Sequence, residues 1–275
     1  MSIIHGMSNA EYHADTSAIS ASGLKLFMRS PAHYYAAYLD PNRIERQPTT
    51  AMRLGTATHC AILEPDAFDD RYMLRPDGIN ARTAEGKAQL AAIAESGIEI
   101  LTPDDFALIT GMADSFRRHP ISADLFAAPH KVEQSIFAEI NGVRCKCRPD
   151  YISGDFIMDV KTTRDASIEG FGKQAWNLGY HIQEAFYRRV IGGNHRFLFG
   201  AVESDYPHLV QYHESPDELI AYADDLIDAA LSHYAECLRK NEWPGYSNNI
   251  QPLEVPGYAK RMIEGFDGEV EVNYV

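Results

Sequence analysis

Positive charge is in short supply in this chain: 25 Lys and Arg face 39 Asp and Glu among 275 residues, a formal net charge of −14. Bulk attraction for a polyanion is thereby excluded, and any nucleic-acid contact has to come from a local basic surface. Cysteine is scarce too, with only Cys60, Cys145, Cys147 and Cys237. Cys145 and Cys147 share a strand face but have no second pair to complete a zinc site, so reduced, buried thiols are expected. No run of about 18 consecutive apolar residues occurs, which argues against a membrane-spanning helix. Residues 1–9 lack the basic and apolar regions of a secretion signal, so a cytoplasmic location is expected. A glycine-rich phosphate loop is missing as well, which counts against a nucleotide-dependent metabolic enzyme.

The chain does have apolar material for a substantial core, 45% of its residues, and one elaborated domain is expected over 1–275. Periodicity and breakers predict helices over 22–38, with a break at Pro31, and over 52–63, ending before Pro65. Further helices are expected over 83–95, 103–118, 168–178, 180–191 and, long and acidic, 217–240. Strand patterns run over 132–140, 143–152, 156–163, 197–203 and 209–213. Residues 1–130 thus read as a mainly helical part, 131–240 as a mixed sheet with flanking helices and 241–275 as an acidic tail, an α/β or α+β arrangement. Residues 39–50 read as an exposed connector. Residues 66–82, with Arg71, Arg75 and Arg82, form a candidate phosphate-binding arm.

The chemistry concentrates in Arg148-Pro149-Asp150-Tyr151 and in Met158-Asp159-Val160-Lys161-Thr162-Thr163. Ser153-Gly154-Asp155 between them is a turn signal, so 143–152 and 156–163 are expected to pair as a β-hairpin. The strand period of two puts Asp159 and Lys161 on one face and Val160 on the other. With Asp150 near that face, two carboxylates and the Val160 backbone carbonyl would surround a hard cation, Mg²⁺ or Mn²⁺ in its place, beside an ammonium. Such an ion polarises a phosphoryl oxygen and activates water, while Lys161 holds or helps deprotonate that water and offsets developing charge. An Asp-x-Lys alone is common on solvated strand edges. Here Phe156-Ile157-Met158 and Val160 make the strand apolar, where a charge without a partner or a metal is expensive.

Asp150, a gap of eight residues and Asp159-Val160-Lys161 resemble the PD-(D/E)XK nuclease signature, with Pro149 directly before the first Asp. Gln183-Glu184-Ala185-Phe186-Tyr187 has the Gln-x-x-x-Tyr spacing of the RecB-like branch, and that spacing stacks Gln183 and Tyr187 on one helical face. Residues 55–65 resemble the branch's helix bearing a metal-site His, and 19–27 with 30–35 resemble its opening segment. Four motifs in order make the chain similar to the RecE-type exonucleases of this branch. The resemblance implies a restriction-endonuclease-like core: a central mixed sheet flanked by helices, with an N-terminal helical elaboration. It also implies Mg²⁺-dependent digestion of one strand of linear double-stranded DNA, 5′ to 3′, leaving 3′ overhangs for recombination by strand annealing. A homo-oligomeric ring, trimer or tetramer, and a single-strand annealing protein as partner belong to the same picture.

Carried over by position, His59, Asp150, Asp159 and the Val160 carbonyl are metal-site groups, Lys161 is the catalytic lysine, and Gln183 and Tyr187 touch substrate. Arg148 and Arg164, from a basic set that includes Arg144, Lys146, Lys173, Arg188 and Arg189, are expected to contact DNA. Glu133 occupies the strand before the hairpin, where relatives often carry a glutamate; it is either a metal-site carboxylate or a strand-end charge in water. Some RecB-like nucleases bind an iron–sulfur cluster through one early and three late cysteines. Ser30 stands at the early position here and no late cluster follows, so no iron–sulfur cluster is expected. A single-strand-specific or endonucleolytic enzyme, or a non-catalytic DNA-end-binding scaffold, would share the same motifs. His130, His181, His195, His208 and His213 have no ligand spacing and read as surface or core residues. Trp176 is expected near Gln183, and Trp243 is expected to close the last long helix onto the core.

Overall fold

The computed structural model describes residues 2–4, 6–44, 47–80 and 82–264. The chain opens with β1 (Ser2–Ile4), α1 (Asn9–Ala14), β2 (Ile19–Ser20) and α2 (Ala21–Arg29). Pro31 starts a new turn, α3 (Pro31–Tyr34), which passes into a π-helical segment over Tyr35–Leu39. Next come α4 (Thr50–Leu63), α5 (Pro65–Arg71), β3 (Tyr72–Leu74), α6 (Ala84–Glu95), β4 (Glu99–Leu101), α7 (Pro103–Arg118) and α8 (Pro120–Ala127). Five strands follow: β5 (His130–Val132), β6 (Ser135–Ile140), β7 (Val143–Cys147), β8 (Tyr151–Ser153) and β9 (Phe156–Thr163). The remainder is α9 (Ile168–Leu178), α10 (Tyr180–Ile191), β10 (Arg196–Glu203), β11 (Val210–His213), α11 (Asp217–Lys240) and α12 (Gly257–Glu264).

Local chemistry sets the boundaries of the helices that matter for the site. The Thr49 hydroxyl accepts from the Met52 N–H to start α4, and Pro65, having no N–H to give, ends it and begins α5. Ser20 caps α2 through the Gly23 N–H. Gly179, at φ +64, closes α9 in the left-handed conformation and opens α10 at once.

The strands divide between a five-stranded mixed sheet in the order β11-β10-β9-β8-β5 and a four-stranded sheet in the order β1-β6-β7-β2, with a parallel β3-β4 pair apart. β9 and β10 are parallel and joined by α9 and α10, whereas β8 and β9 form a tight antiparallel hairpin, Tyr151 opposite Met158. Ile157 faces a cluster with Ala185 and Phe186 of α10 and Leu24 of α2. Met158 and Val160 face a second cluster with Ile62 of α4 and Ile109 of α7. A restriction-endonuclease-like α/β architecture results, with the central hairpin between two cores.

Two expected strands are interrupted. Residues 143–152 are not one strand: Arg148-Pro149-Asp150 breaks them, sending β7 to one sheet and β8 to the other, because Pro149 supplies no ladder N–H. Residues 132–140 break at Glu133, whose φ of 51° is left-handed backbone. β1, α1, α5, α8, the β3-β4 pair and α12 had no expectation in the sequence reading. Arg46 of the 39–50 connector and residues 265–275 of the acidic tail lie outside the described residues. Among those described, no helix is long and apolar enough to cross a membrane.

Candidate active site

The break that separates the two sheets also places the carboxylates. Asp150, next to Pro149, accepts the Val160 N–H on Oδ2 at 2.6 Å, fixing it across the hairpin, and the same oxygen lies 3.3 Å from Nδ1 of His59 on α4. The left-handed turn at Glu133 directs its N–H to the Asp150 carbonyl and brings its carboxylate to the same spot. One ligating atom each from His59, Glu133 and Asp150 lie within 4.8 Å of one another. Two carboxylate oxygens and an imidazole nitrogen suit a divalent cation that accepts hard and borderline donors.

Asp159 stands beside these three and is 2% exposed. Its Oδ1 accepts from Nε2 of Gln183 at 2.6 Å, and its Oδ2 touches the Lys161 ammonium. Lys161 in turn donates to Oε1 of Gln183 at 3.2 Å and lies 4.6 Å from the centroid of the Tyr180 ring. Gln183 therefore bridges the two charges from α10. Tyr187, one helical turn on, donates to the Arg148 carbonyl at 3.3 Å.

The electrostatics show crowding of negative charge. Burial, and then the Asp150 carboxylate, push Glu133 up to about 7 against the pull of Arg148. Burial also raises Asp159; Lys161 opposes this and Asp150 adds to it. Asp150 itself is lowered: burial works against its charge, but His59, Lys161 and the Val160 N–H outweigh it. His59 and Lys161 are both raised, burial being overcome by the carboxylates they face. Carboxylates that repel one another around one point are the arrangement that a divalent cation relieves.

The expected basic lane is mostly occupied within the protein. Arg148 donates to Glu133 at 2.8 Å, to Ser135 Oγ and to the Met7 carbonyl. Lys146, 5% exposed, holds the carbonyls of Tyr12 and Asp15, and Arg144 reaches Ser17. Arg188 pairs with Glu184, Arg189 with Asp228 and Lys173 with Glu169. Arg164 is exposed after β9. Trp176 stacks on His181 and Tyr222, and Trp243 packs on Phe27 and Tyr34.

A cavity of about 970 Å³ contains His59, Glu133, Asp150 and Gln183. Its walls include residues the sequence reading passed over: Met7, Ser8 and Tyr12 of the N-terminal segment, and Lys25 of α2. The segment carried one legible signal, the capping box Ser8-x-x-Glu11 that starts α1. Lys25 carried none, since a lysine five residues from either cap of its helix reads as a solvated helix face.

The hairpin with its Asp-x-Lys, set in this fold, defines a protein of the PD-(D/E)XK type. Residues 20–255 match the family described as a PDDEXK-like domain of unknown function (DUF3799), and the chain belongs to that family. Among solved structures it is similar to a provisionally named exonuclease from Eubacterium rectale, 15% identical over 97% of this chain and 100% of that one, with a TM-score of 0.65. That likeness is one of fold. An alkaline exonuclease from Laribacter hongkongensis is 12% identical over 85% of this chain and 97% of that one, at a TM-score of 0.31, too low to bear on the site. No curated protein matches the chain.

Proposed function

We propose that the protein is a divalent-metal-dependent deoxyribonuclease and that it removes nucleotides from the ends of linear double-stranded DNA. The observation that carries the reading is the meeting, at one cavity, of the His59, Glu133 and Asp150 ligating atoms with Gln183, which bonds the Asp159–Lys161 pair behind it. The ion, when bound, supplies Lewis acidity toward a phosphoryl oxygen and lowers the pKa of a bound water. His59, Glu133 and Asp150 would hold it, and the resemblance adds Asp159 and the Val160 carbonyl as further ligands. Lys161, kept protonated by its carboxylate neighbours, offsets negative charge growing on the phosphate, which suits it better to that role than to removing a proton. Gln183 positions Lys161 and Asp159 against each other, and Tyr187 fixes the turn that carries Asp150. Polarity from the 5′ end, Mg²⁺ as the ion, a 3′ overhang passed to strand annealing and a ring-shaped oligomer follow from the resemblance to RecE-type exonucleases and are part of the proposal.

A time course on a linear duplex labelled at the 5′ or the 3′ end, with and without Mg²⁺ or Mn²⁺, tests it. Metal-dependent release of the 5′ label as short products, with the complementary strand intact, is the expected result. Absence of cleavage with either ion would remove the reading.

A further inference from the structure

Lys25 occupies an unusual position for a lysine. It lies in the wall of the same cavity, its charge is not matched by a carboxylate in any ion pair among the described residues, and it is only partly open to solvent. Its stem passes over Gly179, where a Cβ would come within 3.0 Å of Lys25 Cδ, so a glycine at this position leaves the lysine its path. Among the described residues the single hydrogen bond of its side chain is a donation from Nζ to the Leu178 carbonyl at 2.9 Å. An ammonium has three donors, so two remain for whatever enters the cavity. Around it, Lys161 repels it, and His181 is held toward its neutral form by burial and by Lys25 itself. Asp159 attracts it but is already engaged by Lys161 and Gln183. A half-buried cation without a counter-ion is costly to keep, and the missing partner is an anion small enough to enter the cleft.

We propose that Lys25 binds a phosphate of the substrate strand next to the one being cleaved, fixed by its contacts to the α9–α10 junction. The inference rests on the nuclease reading. The shared chemistry is a phosphate oxyanion, which a strand supplies either as an internal phosphodiester or as a terminal phosphomonoester. A lysine touching one phosphate releases about one counterion, so its loss is read directly in the salt dependence of binding.

The test measures the affinity of full-length wild-type protein, Lys25→Gln, Lys25→Arg and Lys240→Gln for a short duplex across a salt series, with Ca²⁺ as the divalent ion and the duplex shown to remain intact. The duplex is used with a 5′-phosphate and with a 5′-hydroxyl. Lys25→Gln is expected to weaken binding roughly tenfold at low salt and to lower the slope of log affinity against log salt by about 0.7 to 0.9. Lys25→Arg should restore most of that slope, and Lys240→Gln, on the far end of α11, should match the wild type. A deficit confined to the 5′-phosphorylated duplex identifies the terminal phosphate, and an equal deficit on both identifies an internal one. A Lys25→Gln slope equal to wild type, even with a lowered melting temperature, overturns the proposal and leaves Lys25 as a cap for α9. Wild-type protein that neither binds nor cuts DNA would instead remove the nuclease reading beneath it.

Discussion

Asp159 and Lys161 form a buried ion pair at the centre of the site, and the two cannot be removed independently at equal cost. Lys161→Met is expected to lower the cleavage rate by at least about 10²–10³, the scale of losing one charge stabiliser in a dry site. The same change leaves Asp159 facing Asp150 with only Gln183 for support. Breaking a buried pair from one side typically costs about 3–5 kcal/mol, so urea denaturation should find Lys161→Met less stable than the double variant Asp159→Asn/Lys161→Met. Lys25 makes a different prediction. Burial, and then Lys161, depress it to about 8 from the usual 10.5. Between those values the unfolded chain binds more protons than the folded one, so this group's contribution to stability rises with pH across the window and is least favourable below it. Denaturant midpoints at about pH 7.5 and about pH 10.5 should show a rise in wild type that Lys25→Met has lost.

The N-terminal segment is held by side chains that the sequence presents as a basic cluster. Lys146 lies under α1, with its ammonium on two carbonyls and 4.4 Å from the Tyr12 ring centroid. Lys146→Met removes the donor from both carbonyls, at a cost of about 1–3 kcal/mol, and hydrogen exchange should speed up across α1 while the β9–β10 pairing stays protected. Much at this level was legible in advance. The extents of α4, α7, α9, α10 and α11 followed from apolar spacing and from caps and breakers such as Pro65, Pro103 and Gly179, because those signals act over one helical turn. The Asp-x-Lys face followed from the strand period. The division into two sheets did not, since an alternating strand pattern carried through Arg148-Pro149-Asp150 looks continuous until tertiary pairing draws its halves apart. Nor did the left-handed turn at Glu133, the partners of Arg144 and Lys146, which lie more than a hundred residues away in sequence, or the reach of Arg148 to the Met7 carbonyl.

For the molecule as a whole, the formal charge of −14 sets the background against which a few cavity cations have to act. Crowded carboxylates at the site are a source of repulsion that binding would relieve, so Mn²⁺ or Mg²⁺ should raise the melting temperature of chelator-treated protein. A gain of about 2.7 kcal/mol is expected at a hundredfold excess over the dissociation constant, and Asp150→Asn should abolish most of it. Thermal scans with and without each ion decide this. The wall that residues 6–13 lend to the cavity also gives the protein an order in time. Those residues are synthesised well before Lys146 and Arg148, which clamp them, and at roughly 5–20 residues per second the interval is on the order of ten seconds. A chain on the ribosome thus carries one wall of its cleft with nothing to hold it in place, and competence to cut can arise only after the late-made strands have come back to collect it.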